Sequence, residues 1–298
     1  GQRLAVLFAS HARFRGTALK NLLDIGPLKR WIGKTETAQD YLTYSLVDRF
    51  RATLDPFLWS GGDIPLGLHW CLALPTTPTA ELSADGHAKK GEFLPPVPLP
   101  SRMWAGGEVI HHQSFTPNAP VTRISTINDI FAKKGKSGDL VFVTVGSKYY
   151  SDDRLCITER QDLVFRNHST LNKPATATAT PDTSTTRQDT LTPDPVLLFR
   201  YSALTFNSHR IHYDPDYARD EEGYAGLVVH GPLQATLLLN LAARKADKPP
   251  HRFAFRGLAP VTHGIPIELH QATENTDETV WCQTTDGTKS FTATYSDT

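Results

Sequence analysis

The sequence predicts an α+β protein built from two similar halves, and three observations lead to this class. The chain has 298 residues, which is enough for two domains of about 150 residues each. A segment with almost no large apolar residues divides it near the middle. On either side of that segment a short helical pattern precedes several strand-like runs, so we expect an internal duplication of one α+β unit.

Residues 1–27 are predicted to be a basic extension ahead of the first half. Residues 1–23 contain no acidic residue, and apolar residues separate the four basic ones, which are Arg3, Arg13, Arg15 and Lys20. This composition is typical of a transit-peptide remnant. An amphipathic surface helix or an engineered leader has the same composition, and we prefer this second interpretation.

The first half, residues 28–170, is predicted to begin with a helix over Thr43–Leu54. Apolar side chains recur there at helical spacing, and Thr43 or Ser45 is placed to cap the first turn. Residues 76–100 are rich in Pro and are interpreted as a long surface loop. Runs of β-branched residues then predict four strands, at 108–115, 121–131, 140–150 and 155–165, with a hairpin turn at 135–138.

The second half, residues 196–298, repeats this order after a predicted linker at residues 171–195. The linker is rich in Thr, Pro and Ala and lacks the large apolar residues that a core requires. Val196–Thr205 is predicted as a short helix or strand. Pro232–Arg244 predicts a helix with Pro in its first turn and leucines on one face. Four strands are predicted after it, at 252–256, 265–271, 280–284 and 290–295, with an Asp-Gly turn before the last.

Charge and cysteine content exclude several function classes. Lys and Arg number 31 and Asp and Glu number 31, so the formal net charge is +0, and no overall field draws the protein to nucleic acid or an anionic membrane. Cys71, Cys156 and Cys282 are too widely spaced for a disulfide framework or a Cys-based zinc site. An intracellular setting is therefore expected, cytoplasmic or, as the alternative, the mitochondrial matrix. No run of about 18 apolar residues predicts a membrane span.

The densest group of polar residues lies in the second half. Residues 201–214 read Tyr-Ser-Ala-Leu-Thr-Phe-Asn-Ser-His-Arg-Ile-His-Tyr-Asp, and Val-His-Gly-Pro follows at 229–232, where the leucine-rich helix begins. This sequence resembles the hydratase motif of the MaoC-like hot-dog enzymes. It is most similar to the double hot-dog branch, which contains type-two 3-hydroxyacyl-thioester dehydratases, mesaconyl-C4-CoA hydratase and itaconyl-CoA hydratase.

The resemblance extends beyond this motif and covers roughly residues 28 to 295. Further segments that look like the same branch lie at 31–36, 68–70, 102–107, 137–143 and 159–162. The resemblance implies a double hot-dog fold, with two antiparallel sheets each wrapped around a central helix. The leucine-rich helix would be the central helix of the second half. Its counterpart in the first half is expected between Asp63 and Leu74, although Pro65 and Gly67 interrupt the pattern.

The activity that the resemblance implies is that of a hydro-lyase: reversible hydration of an enoyl-CoA thioester, without a cofactor. Such chemistry needs a base for water, an acid for the α-carbon and donors for the enolate-like oxygen. His212 matches the catalytic histidine of the family. Gly231 offers backbone N–H groups at a helix start, where the macrodipole adds positive potential.

One departure from the family motif concerns the second catalytic group. Asn207 stands where the wider family has Asp, and an amide does not take a proton. Proton transfer then shifts to His212, or a carboxylate from elsewhere replaces the missing one. Asp55, at the matching position of the first half, and Asp214 are the candidates. The first half lacks the histidine and is expected to hold a degenerate site.

Four further residues of the motif region are predicted to contact substrate: His209, Arg210, Tyr213 and His230. By resemblance the acyl group would be a branched C5 dicarboxylic one, as in mesaconyl-CoA or itaconyl-CoA. Its distal carboxylate requires a cation, for which Arg210, Arg102 and Arg256 are candidates. The adjacent His111 and His112 lack a carboxylate at metal-ligand spacing, so no metal is predicted.

Two other functions stay open from the sequence. One is a 3-hydroxyacyl-ACP dehydratase of mitochondrial fatty-acid synthesis, which would need an apolar pocket without a buried Arg. The other is a non-catalytic module that binds acyl thioesters, suggested by Asn207. Because two hot-dog units in one chain can mimic the usual dimer, a monomer and a homodimer are both expected possibilities.

Overall fold

The protein is organised around one antiparallel sheet. The computed structural model describes residues 23–135, 138–167, 186–274 and 277–298. Across the sheet the ten strands of these ranges follow the order β1-β3-β4-β5-β2-β7-β10-β9-β8-β6. Their bounds are β1 Thr35–Leu42, β2 Ser101–His111, β3 Ala119–Gly135, β4 Gly138–Ser151, β5 Arg154–Arg166, β6 Thr186–Leu191, β7 Arg252–Gly257, β8 Ile267–Glu274, β9 Asp277–Thr284 and β10 Lys289–Ser296.

The two halves meet where β2 pairs with β7. The first half supplies β1 to β5 and the second half β6 to β10, and residues 106–110 pair with residues 252–256 at the join. A Cβ on Gly106 would lie 2.6 Å from the Phe255 carbonyl oxygen, and one on Gly107 would lie 2.1 Å from the Arg160 carbonyl oxygen. Glycine at both positions therefore permits the close approach that fuses the two expected sheets into one.

The central helix of the second half is α4, Gly231–Ala246, as the leucine pattern predicted. Pro232 lies in its first turn, and the helix ends at Asp247, which has a left-handed φ of 52°. Every residue from Leu233 to Ala243 is buried. The helix packs against β7 to β10 and forms, with the sheet, the hot-dog arrangement that the resemblance implied.

The short helices before each set of strands also agree with the predicted duplication. Helix α1 is Tyr44–Leu54, and the Thr43 side chain accepts a hydrogen bond from the Leu46 N–H at 3.1 Å. Helix α2 is Pro195–Leu204, so the ambiguous run is helical. The two helices pack against each other. A short helix α3, Pro215–Asp220, follows the motif region.

The first half differs from the expected plan in its central helix. Between Asp63 and Leu74 the described structure contains only a four-residue 3-10 helix, Leu68–Cys71. Gly67 ahead of it has a φ of 89°, and a Cβ there would lie 2.9 Å from the Thr236 side chain of α4. The proline and this left-handed glycine prevent a longer helix, so loops and a cavity occupy the inner face of the first half.

Other boundaries are corrected by the structure. The strand predicted at 108–115 is β2, which begins and ends earlier, at Ser101–His111. Thr186–Leu191, assigned to the linker, forms the edge strand β6 and pairs with β8. Strand β1 was not predicted, because polar residues occupy both of its faces. The rest of the predicted linker and most of the basic extension fall outside the described residues, whereas Gly26–Trp31 forms a 3-10 helix across the predicted boundary at residue 28.

The described helices include none that is long and apolar enough to cross a membrane. All three cysteines are free and buried within the core.

Asn240, fully buried on α4, holds a first-half loop to the central helix. Its Oδ1 accepts from the Trp59 N–H at 3.0 Å, and its Nδ2 donates to the Leu66 carbonyl at 3.0 Å. Asn240→Ala leaves these groups unpaired, so we expect the free energy of unfolding to fall by about 1–3 kcal/mol in urea denaturation. Gln39→Ala, on the exposed side of β1, should change it by less than about 0.5 kcal/mol; similar losses in both variants would contradict the role of Asn240.

Candidate active site

A cavity of about 1210 Å³ lies between the two halves. The first half contributes the inner face of its sheet and the proline-rich loop, and the second half contributes the motif region and the start of α4. Five of the residues predicted from the sequence line this cavity: Asn207, His209, His212, Tyr213 and Gly231. The tertiary structure thus brings most of the predicted site together in one place.

The motif region turns sharply after α2. Phe206 has a left-handed φ of 47°, and the Asn207 Oδ1 accepts a hydrogen bond from the His209 N–H at 3.0 Å. This contact uses the amide oxygen to fix the turn, as Asn commonly does. The amide nitrogen of Asn207 carries two N–H donors, and Asn207 lines the cavity. Asn207 therefore serves the local structure and still presents a donor.

His212 is held as a neutral imidazole with a defined tautomer. Its Nδ1 lies 2.7 Å from the Val228 carbonyl oxygen, and because a carbonyl only accepts, Nδ1 carries the proton and Nε2 keeps its lone pair. The side chain is buried, and burial together with nearby His209 lowers its pKa to about 3. At neutral pH the Nε2 of His212 is thus available as a proton acceptor.

His230 packs against the ring of His212 on the side away from the cavity. The two imidazoles stack with centroids 3.7 Å apart and planes inclined by 16°, and the Nε2 of His230 lies 2.8 Å from the Ser202 Oγ. His230 is 1% exposed and is not among the residues that line the cavity. The predicted contact of His230 with substrate is therefore replaced by a packing role against His212.

Gly231 begins the 16-residue helix α4 at the wall of the cavity. A Cβ at this position would lie 3.0 Å from Cε3 of the Trp104 ring, so glycine leaves the helix start accessible. The N-terminal turn of a helix carries unpaired N–H groups and positive potential. This end of α4 is suited to a carbonyl oxygen on which negative charge develops.

Asp85 and His87 form a pair that the sequence analysis missed. They lie in the loop interpreted as surface, and the Nδ1 of His87 is 2.9 Å from the Asp85 Oδ2. The ring of His87 packs on that of His209 with centroids 4.1 Å apart. Burial and the guanidinium of Arg102 lower the pKa of His87 to about 3, against the opposing effect of Asp85. An Asp-Gly-His sequence in the proline-rich loop was the available signal.

The ligand-type atoms of Asp85, His87 and His209 lie within 4.8 Å of one another. Two imidazoles and a carboxylate are common zinc ligands. The positive charge of Arg102 nevertheless acts on His87 and disfavours its protonation, and the same potential disfavours a metal cation here. The absence of a metal stays a prediction from the sequence.

Besides His230, the cavity lining lacks four residues that the sequence offered for the site: Asp55, Arg210, Asp214 and Arg256. Asp55 follows α1, is exposed and does not line the cavity, because the buried face of α1 ends at Leu54 and the next residue is left at the surface. Arg210 pairs with Asp214 at 2.8 Å and lines a second cavity of about 680 Å³. Arg256 is exposed and lies outside both cavities.

Arg102 is the remaining cation proposed for a distal carboxylate, and it reaches the site. It lies on β2 and lines both cavities. Its side chain has no hydrogen bond or ion pair within the described parts of the chain, although the charge of Asp85 acts on it. Burial lowers its pKa to about 10, so it remains charged at neutral pH. An unpaired guanidinium beside a cavity is suited to an anion.

The cavity wall formed by the first half is also polar. Arg123 pairs with Glu36 at 3.1 Å, and both residues line the cavity. Buried Glu159 accepts hydrogen bonds from Trp70 Nε1 at 2.7 Å and from Gln161 Nε2 at 2.8 Å. These residues lie on the sheet face where a second central helix would otherwise have packed. The sequence did not indicate this cluster, because its members are far apart along the chain.

A hot-dog cavity that combines a neutral imidazole, an amide and a helix start has the features of enzymes that add water to acyl thioesters or remove it from them. The chain belongs to the family described as "Hydroxyacyl-thioester dehydratase type 2", whose profile matches residues 67–263. It is 43% identical over 242 residues to mesaconyl-C(4)-CoA hydratase of Chloroflexus aurantiacus, and the alignment covers 80% of this chain and 86% of that protein. The protein is accordingly a hydro-lyase.

Solved structures agree with the fold. HtdX of Mycobacterium tuberculosis is 17% identical with a TM-score of 0.64 and covers 88% of this chain and 99% of its own. A second Mycobacterium tuberculosis protein, described as having a double hotdog fold, is 10% identical with a TM-score of 0.55 and covers 89% of this chain and 95% of its own. The double hot-dog architecture implied by the resemblance is therefore confirmed.

The depressed pKa of His212 makes stability depend on pH. Between its folded pKa of about 3 and the unfolded value of 6.5, the unfolded chain binds the extra proton, so stability is present above pH 6.5 and falls as the pH decreases. At pH 5 the protonation of this histidine in the unfolded chain lowers the free energy of unfolding by about 2 kcal/mol. We measure the free energy of unfolding in urea at pH 7.5 and at pH 5. Its decrease between these two pH values should be smaller in His212→Gln than in the parent protein, and equal decreases would contradict this assignment.

Proposed function

We propose that the protein reversibly hydrates a short enoyl-CoA thioester that carries a distal carboxylate, of the mesaconyl-CoA or itaconyl-CoA type. The observation that carries this proposal is the unpaired Arg102 beside the cavity that also holds His212 and Gly231. The name of the relative from Chloroflexus aurantiacus supports the same substrate class.

The geometry supports a simple course of hydration. Water donates a hydrogen bond to the Nε2 of His212, while the thioester oxygen lies at the start of α4 near Gly231. As the water oxygen bonds to the β-carbon, one water proton passes to His212 and negative charge moves to the thioester oxygen. The imidazolium then gives that proton to the α-carbon. The product gains one hydroxyl and one hydrogen, and His212 returns to its neutral form.

Polar groups of the first half, within a lining that is otherwise mostly apolar, favour a short acyl group over the long alkyl chains of fatty-acid synthesis. Enclosing an alkyl chain against the Arg123–Glu36 pair and Gln161 would remove water from polar groups without replacing its hydrogen bonds. A short acyl group with its own carboxylate can instead hydrogen-bond to such a wall. The mitochondrial 3-hydroxyacyl-ACP dehydratase, the alternative from the sequence, is therefore less well supported.

Replacement of His212 tests whether the protein catalyses hydration. We expect His212→Ala to lower kcat for hydration of crotonyl-CoA and mesaconyl-C4-CoA by at least roughly 100-fold, the range of general acid–base catalysis. Loss of the enoyl-thioester absorbance measures the rate. His251→Ala, an exposed histidine bonded to the His111 carbonyl, is the matched control. A parent protein that binds these thioesters and hydrates none of them would instead support the non-catalytic binding module.

Arg102 tests the choice of substrate. In Arg102→Gln we expect kcat/KM for mesaconyl-C4-CoA to fall roughly 10- to 150-fold, the equivalent of about 1.5–3 kcal/mol for a hydrogen bond to a charged group. Crotonyl-CoA, which has no distal carboxylate, should be affected much less. Arg256→Gln removes an exposed guanidinium and should leave both values unchanged. Equal losses on both substrates would contradict carboxylate recognition by Arg102.

A further inference from the structure

The loop that carries Asp85 and His87 is attached directly to the motif region of the second half. The Arg210 N–H donates to the Asp85 carbonyl at 2.9 Å, and the Ser208 Oγ donates to the Gly86 carbonyl at 2.5 Å. Gly86 has a φ of 89°, and a Cβ there would lie 1.8 Å from the Ser208 carbonyl oxygen. Glycine is therefore required for this close contact, which fixes the position of His87.

His87 is oriented like a catalytic base. Its Nδ1 donates to the Asp85 carboxylate at 2.9 Å, because a carboxylate accepts at neutral pH, and this leaves the lone pair on Nε2. Burial opposes ionisation of Asp85, but hydrogen bonds from the side chain and the backbone N–H of His87 hold its pKa low, so the carboxylate stays ionised. A histidine with a carboxylate on Nδ1 has a fixed tautomer and a stabilised imidazolium.

His87 also lines the cavity that contains His212. It lines the same cavity as His212 and Asn207, and a single imidazole lies close to both histidine rings. His209 is that imidazole, with its centroid 4.1 Å from the ring of His87 and 5.6 Å from that of His212. The first half thus places an Asp–His pair beside a site whose own motif lacks a carboxylate.

We propose that the Asp85–His87 pair is the second hydrogen-bond acceptor for the attacking water, in the place of the carboxylate that the wider family has and that Asn207 replaces here. This inference rests on the proposed hydration activity. The attacking water donates one hydrogen to the Nε2 of His212 and the other to the Nε2 of His87. As the water oxygen bonds to the β-carbon, one proton passes to His212 and then from His212 to the α-carbon, while the second hydrogen stays on the oxygen and remains hydrogen-bonded to His87. Both imidazoles are neutral before and after the turnover, and the charge of Asp85 stabilises the imidazolium between these steps.

The test compares His87→Ala with the parent protein on crotonyl-CoA and mesaconyl-C4-CoA. We expect kcat to fall by roughly 100-fold or more on both substrates, and added imidazole to restore part of the rate, since a small base can enter the vacated space. Asp85→Asn should also lower kcat on both. His112→Ala, an exposed histidine bonded to Thr158, is the matched control and should keep the parent rate.

Several outcomes would overturn the proposal. A loss confined to mesaconyl-C4-CoA would assign His87 to binding the distal carboxylate. A loss without imidazole rescue in a variant with the parent's thermal stability would assign it a structural role. If His87→Ala does not fold, His87→Gln keeps a similar volume without a basic nitrogen and should still lose kcat at the parent's thermal stability; a Gln variant with the parent rate would reject the proposal. Activity that is lost on chelation and restored by Zn²⁺ would assign the cluster to a metal. A parent protein inactive on every thioester would reject the proposed function itself, whereas an active parent with an equally active His87→Ala rejects this inference alone.

Discussion

The pairing of β2 with β7 is the contact on which the rest of the molecule depends. Gly106 and Gly107 allow the two backbones to approach, and the two sheets become one. This join sets the first half beside the start of α4, so the loop around Gly86 can reach the motif region. The cavity therefore belongs to neither half alone. A side chain at either glycine would separate the strands and, with them, the groups that line the site.

The absence of a central helix in the first half has consequences for both stability and chemistry. In the second half α4 fills the inner face of the sheet with leucines. In the first half the same face carries Arg123, Glu159 and other polar residues beside open space. Fewer apolar contacts cost stability there, and the gain is room for substrate and for polar groups that can recognise it. The two halves thus have complementary roles.

The predictable parts of the structure are those whose signal is local. The leucine spacing of α4, the Thr43 cap of α1 and the β-branched runs of β3, β4 and β5 identify these elements without knowledge of their partners. Strand β1 and strand β6 escaped prediction because neither has an apolar face, and each is defined by pairing with a neighbour. The prediction of a central helix near Leu68 was wrong because Gly67 packs against Thr236, a residue far away along the chain.

The candidate site divides in the same way. By itself the sequence determined the motif that carries Asn207, His212 and Gly231, because these residues are close along the chain and their spacing is characteristic of the family. Only the tertiary structure decided that Asp55 faces solvent, that the Arg102 side chain has no hydrogen-bond partner among the described residues, and that His87 lies against His209. The physical reason is that burial, pairing and the pKa of a side chain depend on neighbours brought together from distant parts of the chain, and no local pattern records which neighbours those are.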